Sequence, residues 1–286
     1  MKKPLAVLIL FCLLLIGCSK QEHVQITATT LPVYEFTKTL CDGTGLTVTQ
    51  LVTEEVSCLH DYTVQVSQMR AVETSEVVIC SGAGLEEFLD DVLKSASRVI
   101  DASVDVSLHC IDEHGHDGHD HAHDPHIWLS PKNATQMANT ICAELSVIYP
   151  EHKAKLEANL SVLLQQLDTL QTYGEEKLNG LACRELITFH DGFSYFAESF
   201  GLNILKAVEE ESGSEASAKE LIELIDLVQS NRIPAIFTEV NGSTAAAEII
   251  CAETGAKDYK LDMAMSGRSY FDAMYRNINT IKEALG

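Results

Sequence analysis

Apolar positions along this chain switch repeatedly between a period of two and a period near 3.6. Val24–Val33 has the alternation of a strand ending at Pro32, and Val33–Cys41 the spacing of a helix. Leu46–Val52 alternates β-branched residues as a strand does, and Val64–Glu73 reads as a helix. The run EVVICS, Glu76–Ser81, is short and apolar enough for a strand covered on both faces. Gly82-Ala83-Gly84 follows, then a helical stretch Leu85–Lys94 and a short strand Arg98–Ala102. The second half has the same style. Strands are expected at Glu185–Phe189, Asn203–Val208, Pro234–Val240 and Tyr259–Asp262. Helices are expected at Gly192–Phe200, Ala218–Gln229, Ser243–Thr254 (closed by Gly255) and Ser269–Leu285. Strands alternating with helices predict an α/β fold with mainly parallel sheets flanked by helices.

Between these halves lies the cleanest helix. Leu156, Leu160, Leu163, Leu167 and Leu170 step by four and three, with Pro150 near the start and Gly180 at the end. A helix of this extent is about 44 Å long at 1.5 Å per residue. The leucine stripe is short for a coiled coil, so one helix lying across both halves is the better reading.

The first residues do not belong to that pattern. Lys2 and Lys3 precede an apolar run, Leu5–Ile16, too short to span a bilayer comfortably and suited to a secretory signal. Leu15-Ile16-Gly17-Cys18 resembles a bacterial lipobox, which implies cleavage before Cys18 and lipidation of its sulfur. The alternative is an ordinary signal peptide with an incidental cysteine. Residues 1–17 are thus read as a lipoprotein signal and 18–23 as a tether to the outer face of a membrane. The net charge of −22 excludes a nucleic-acid partner, which would need a basic patch. Apart from Cys12 and Cys18, cysteines stand at 41, 58, 80, 110, 142, 183 and 251, with no C-x-x-C pair to suggest a zinc knuckle or a redox motif.

Candidate chemistry concentrates in histidine. The stretch HCIDEHGHDGHDHAHDPHIWLSP, His109 to Pro131, holds seven of the eleven histidines. Three histidines sit in turns that would converge at the carboxyl ends of parallel strands, where open α/β sheets bind ligands. His60 lies in SCLHDY, His190 in TFHDG, and His126 in DPHIWL, where the histidine-rich run meets an ordered segment. His23 and His152 read as solvated bystanders.

The segments LHDYTVQVSQM, DPHIWLSP, FHDGFSYFAESFGL and IFTEVNGSTAAAEIICAETGAK occur in this order. Together they resemble the motifs of the cluster A-I solute-binding proteins of metal ABC transporters, of the zinc-type ZnuA/AdcA-like lipoprotein kind. That resemblance covers almost the whole chain after the signal. It implies two α/β lobes, 24–149 and 181–286, joined by one long rigid helix, 150–180, with a metal ion in the cleft between them. It implies the ligands His60, His126 and His190. A histidine rather than a carboxylate at position 190 favours Zn²⁺ over Mn²⁺. The matching fourth position is Asp262, in LDMAMSG, where two extra residues before the glycine depart from the family pattern. In the other register Met263 stands there, and water or Cys58 are alternative fourth ligands. Glu239 matches a family glutamate that supports a ligand or the lobe rather than binding metal. The remaining histidines of the rich stretch, His109, His114, His116, His119, His121 and His123, form an expected mobile loop (109–123) that gathers cations weakly. The expected role is a monomeric, membrane-anchored, non-enzymatic carrier of Zn²⁺ to a permease with a cytoplasmic ATPase. The alternatives are another divalent metal, a zinc hydrolase, or an adhesin. No H-E-x-x-H motif supports the hydrolase.

Overall fold

The computed structural model describes residues 24–56, 59, 62–109, 123–209 and 217–286. The expected signal and tether with Cys18, the ligand candidate His60, Cys58, and His114, His116, His119 and His121 all lie outside the described residues.

The first half contains β1 (Ile26–Ala28), α1 (Leu31–Leu40), β2 (Val48–Gln50), α2 (Val66–Thr74), β3 (Val77–Cys80) and β4 (Val99–Asp101). They form a fully parallel sheet in the order β2-β1-β3-β4. Then come α3 (Pro131–Ile148) and α4 (Lys153–Lys177), the latter entered through a 3-10 turn at Pro150–His152. The second half contains β5 (Glu185–His190), α5 (Ser194–Phe200), β6 (Asn203–Glu209), α6 (Ala218–Asn231), β7 (Ala235–Glu239), α7 (Ala245–Thr254), β8 (Lys257–Leu261) and α8 (Tyr270–Leu285). Its sheet is also fully parallel, in the order β6-β5-β7-β8. The fold is thus α/β, with two parallel sheets flanked by helices and one long helix. Central strands such as β3 and β7 are buried at every position, because helices cover both faces of a parallel sheet.

Three elements differ from the sequence reading. The strand expected to run to Pro32 stops at Ala28, and α1 starts at Leu31. Pro32 stands in the first helical turn, where a missing N–H breaks no hydrogen bond. The helix expected at Leu85–Lys94 is a 3-10 turn, Glu87–Leu89, running into one turn at Asp90–Leu93. The 18-residue α3 was not anticipated at all.

α4 reaches both halves. Its Asn159 Nδ2 donates to the carbonyls of Leu40 (2.7 Å) and Asp42 (2.8 Å) in the first half. Near its other end Gly174 lies against Phe200 in the second; a Cβ there would stand 2.1 Å from that ring, so only glycine permits the approach. The core is continuous from Ile26 through Trp128 to Leu285. Direct bonds also lock the halves. Leu31 N–H donates to Met265 O (3.1 Å), Tyr270 N–H to Glu35 Oε2 (3.0 Å), and the Phe36 and Tyr270 rings meet edge to face at 5.0 Å. Among the described residues no helix is long and apolar enough to cross a membrane.

Candidate metal centre

Two of the sequence-predicted histidines meet at this junction. His190 is the last residue of β5, whose five preceding positions carry it into the buried sheet end. His126 precedes a 3-10 turn, Ile127–Leu129, whose three side chains are fully buried. Trp128 fixes that turn between the halves: its Nε1–H donates to Met263 O (2.7 Å), and Tyr270 Oη–H donates to Trp128 O (2.8 Å). Ser130 then caps α3, with Pro131 in its first turn.

The two imidazoles lie edge to face, with Nε2 of His126 and Nε2 of His190 3.2 Å apart. Behind each ring stands a buried carboxylate. His126 Nδ1 is 2.8 Å from Asp124 Oδ1, and His190 Nδ1 is 3.1 Å from Glu239 Oε1. A carboxylate only accepts, so it favours the tautomer with the proton on the facing Nδ1, and in that tautomer each Nε2 presents a lone pair to the other. Two lone pairs at this distance repel unless a positive charge lies between them. Two nitrogens bound to one tetrahedral zinc, each at about 2.0–2.1 Å, would stand about 3.3 Å apart. The observed spacing fits that edge, and carboxylate-backed imidazole is the usual way to fix a metal-binding histidine.

Asp124 is more than a neighbour of His126. Its Oδ1 also accepts the His126 backbone N–H (2.9 Å), and its Oδ2 accepts a short hydrogen bond from Ser194 Oγ. Burial alone pushes its carboxyl up, but the bonds from the His126 ring, Ser194 and the His126 backbone together hold it below the ordinary carboxylate value. The sequence reading passed over Asp124, because it looks like one more acid of the histidine-rich run. Its signal was the D-x-H spacing, which lets one carboxylate reach both the backbone N–H and the ring of the same histidine.

The turn after β8 gives the Asp262 carboxylate partners of its own. Asp262, expected as the fourth ligand, has both oxygens engaged elsewhere: Oδ1 accepts Ala264 N–H (2.8 Å) and Oδ2 pairs with Arg276 Nη2 (2.8 Å). Asn277 clasps its backbone from both sides. Ala264 adopts φ 53°, and the turn so formed brings Met263 to the imidazoles. A Cβ on Gly192 would lie within 3.1 Å of Met263 Cε, His190 Cδ2 and His126 Cε1 at once. It is the methyl end of Met263, and not the Asp262 carboxylate, that this turn brings toward the histidine pair.

Of the expected loop histidines, His109 packs against α5. Its ring stacks on Tyr195 (centroids 4.1 Å apart) and bonds to Ser194 and Glu198 of α5. His123 is partly buried, with no hydrogen-bond partner for Nδ1 among the described residues. No cluster of three or more His, Cys, Asp or Glu side chains suited to a metal occurs among the described residues. The pair is therefore two-thirds of the three-histidine set expected from sequence, whose third member, His60, lies outside them.

Two parallel α/β halves locked across a long helix, with imidazoles at their junction, define a bilobal ligand-binding protein. Residues 26–284 match the family described as zinc-uptake complex component A, periplasmic, and the chain belongs to that family. It is 29% identical over 307 residues to the zinc-binding lipoprotein AdcA of Streptococcus pneumoniae, covering 99% of this chain and 61% of that protein. The chain thus spans about three fifths of the length of that curated relative. A crystal structure of ZnuA superposes with a TM-score of 0.81 at 28% identity, covering 93% of this chain and 100% of that one. The Zn(II)-bound ZnuA-like domain of Streptococcus pneumoniae AdcA gives 0.77 at 27% identity, covering 92% and 98%.

Proposed function

We propose that this chain is the extracytoplasmic binding component of a zinc importer, held to the membrane through lipid on Cys18. It takes Zn²⁺ between its two halves and delivers it to an ABC permease driven by a cytoplasmic ATPase. The observation that carries this reading is the pair of buried imidazoles whose Nε2 atoms face each other at 3.2 Å with a carboxylate beside each Nδ1. In this reading the lobes are 24–149 and 181–286, joined by 150–180. His126, His190 and His60 hold the ion, while Asp124 and Glu239 hold the rings. Asp262 is left out because Arg276 and Ala264 already occupy it, and water completes the coordination. Imidazole donors suit zinc better than manganese, which favours oxygen. His114, His116, His119 and His121 gather cations nearby.

The role is capture and release without bond chemistry. Each carboxylate beside the site is already committed to a histidine ring, so neither stands ready as the general base a hydrolase needs. The test is a competition titration of metal-free protein with Zn²⁺ and Mn²⁺ against a calibrated chelator. One tight zinc site is expected, kept when residues 110–122 are deleted and lost in His126→Ala. Tight binding that vanishes with the deletion and survives His126→Ala would assign the metal to the histidine-rich stretch and sink the proposal.

A further inference from the structure

We infer that Ser194, packed against His109, is a positioning residue for His126, so that the first residue of α5 orients a cargo-binding imidazole of the other half. This rests on the reading of His126 as a zinc ligand. α5 begins four residues after His190, and its first residue is Ser194. A serine hydroxyl has one proton, and Ser194 donates it to Asp124 Oδ2. Asp124 Oδ1 in turn receives the His126 ring and backbone N–H. The second half of the molecule therefore sets the orientation of a carboxylate that belongs to the first.

Ser194 is itself held. Its oxygen also lies 3.2 Å from His109 Nδ1. The far side of that ring, Nε2, meets Glu198 Oε2 at 2.8 Å, one helical turn along α5. The ring lies flat on Tyr195, at 4.1 Å between centroids and 15° between planes. The same tyrosine closes the backbone. His109 N–H donates to Tyr195 Oη (2.9 Å), and Tyr195 Oη–H donates to Asp124 O (3.0 Å). Asp124 N–H donates to His109 O (3.0 Å). Residues 109 and 124, the two borders of the histidine-rich stretch, are thus bound to each other and to α5. The chain of contact runs Glu198, His109, Ser194, Asp124, His126. His109 serves here as a docking post and not as one more cation-gathering side chain.

Groups that orient a metal ligand typically change affinity 10–100-fold when removed. Zn²⁺ and Co²⁺ affinities of the full chain, purified metal-free, are to be measured by chelator competition. The visible Co²⁺ spectrum reports the geometry of the site. Ser194→Ala should weaken zinc about tenfold and shift the Co²⁺ bands, at the low end of that range. Ser194→Thr keeps the hydroxyl and should restore both. His109→Phe keeps the stacked ring without its nitrogens and should weaken zinc about threefold, in the same direction, being one step further from the ligand. Wild-type affinity and spectrum in Ser194→Ala would overturn the inference. So would a loss that Ser194→Thr does not rescue or that leaves the Co²⁺ bands unmoved, since that marks a purely structural serine. Failure of the parent reading looks different: there the wild-type chain binds no zinc tightly, or His126→Ala binds as well as wild type.

Discussion

Glu239 offers the sharpest check on how the site works, because it lies behind His190 and cannot touch an ion held at Nε2. The substitution Glu239→Gln keeps an oxygen beside His190 Nδ1 and removes the charge. The carboxylate oxygen is 3.1 Å from Nδ1, and both side chains are almost fully buried, at 1% and 7% exposure. Crossing the ring and one Zn–N bond places that oxygen about 7 Å from the ion. At an effective dielectric constant of about 20, a single negative charge at that distance attracts a dication by about 5 kcal/mol. The amide dipole and solvent recover part of this, so the expected loss is 10–100-fold, about 1.4–2.7 kcal/mol. The assay is zinc competition against a chelator, paired with thermal melts of metal-free and loaded protein. The metal-free midpoint should hold or rise, because an ionised carboxylate no longer has to be kept in a buried site. The zinc-induced rise should shrink. Zinc affinity within twofold of wild type would refute the idea that the carboxylate acts on the ion through the ring.

Other outcomes follow from the same geometry. Asp262→Asn should leave zinc affinity within about threefold, since that carboxylate serves Ala264 and Arg276; a loss near the 100-fold expected of a group acting on the ion would restore it as a ligand. Trp128→Phe removes the N–H that bonds Met263 O and should cost about 1–3 kcal/mol in urea unfolding, with unchanged stability as the contrary result. Glu86 is buried, and burial pushes its carboxyl up to about 7 despite hydrogen bonds from Thr29, Ser81 and Gly82. The folded state therefore binds a proton that the unfolded state has released. Stability from this group is greatest below its unfolded value and falls as pH rises through about 7, by about 3 kcal/mol in all. Urea unfolding from pH 5 to 8 should show that slope in wild type and its absence in Glu86→Gln; parallel curves would contradict it.

What the sequence disclosed and what it hid divide along physical lines. Strands buried on both faces, such as VVIC and AIFTE, were legible because parallel sheets require unbroken apolar runs. His126 and His190 stood out in the sequence because each borders a buried apolar segment, His126 before Ile127–Leu129 and His190 at the end of β5, and the structure brings their rings together. α3 was missed although Ala134, Met137, Ala138, Ile141, Cys142 and Leu145 follow helical spacing after Ser130 and Pro131. Its apolar face uses small and sulfur-containing residues, a weaker signal than the leucines of α4 beside it. For Asp262, motif position fixes a residue in the chain and not the partners of its side chain. A left-handed Ala264 and the pull of Arg276 turn the carboxylate aside and bring Met263 to the histidines.

The parts that no local pattern reveals are the pairings between halves. Asp124 and Ser194 stand 70 residues apart, and Trp128 and Met263 are 135 apart. These contacts decide where the lone pairs point. The histidines supply the donors, but their convergence belongs to the interface, because His126 is carried by the Trp128 turn and His190 by the end of β5. A shift of one half against the other would separate Nε2 from Nε2 while leaving every ligand in the sequence. If the ion sits there as proposed, its release would need no chemical change at the donors. A displacement at this interface would suffice, and the bonds from Trp128, Tyr270 and Ser194 across it would resist that displacement.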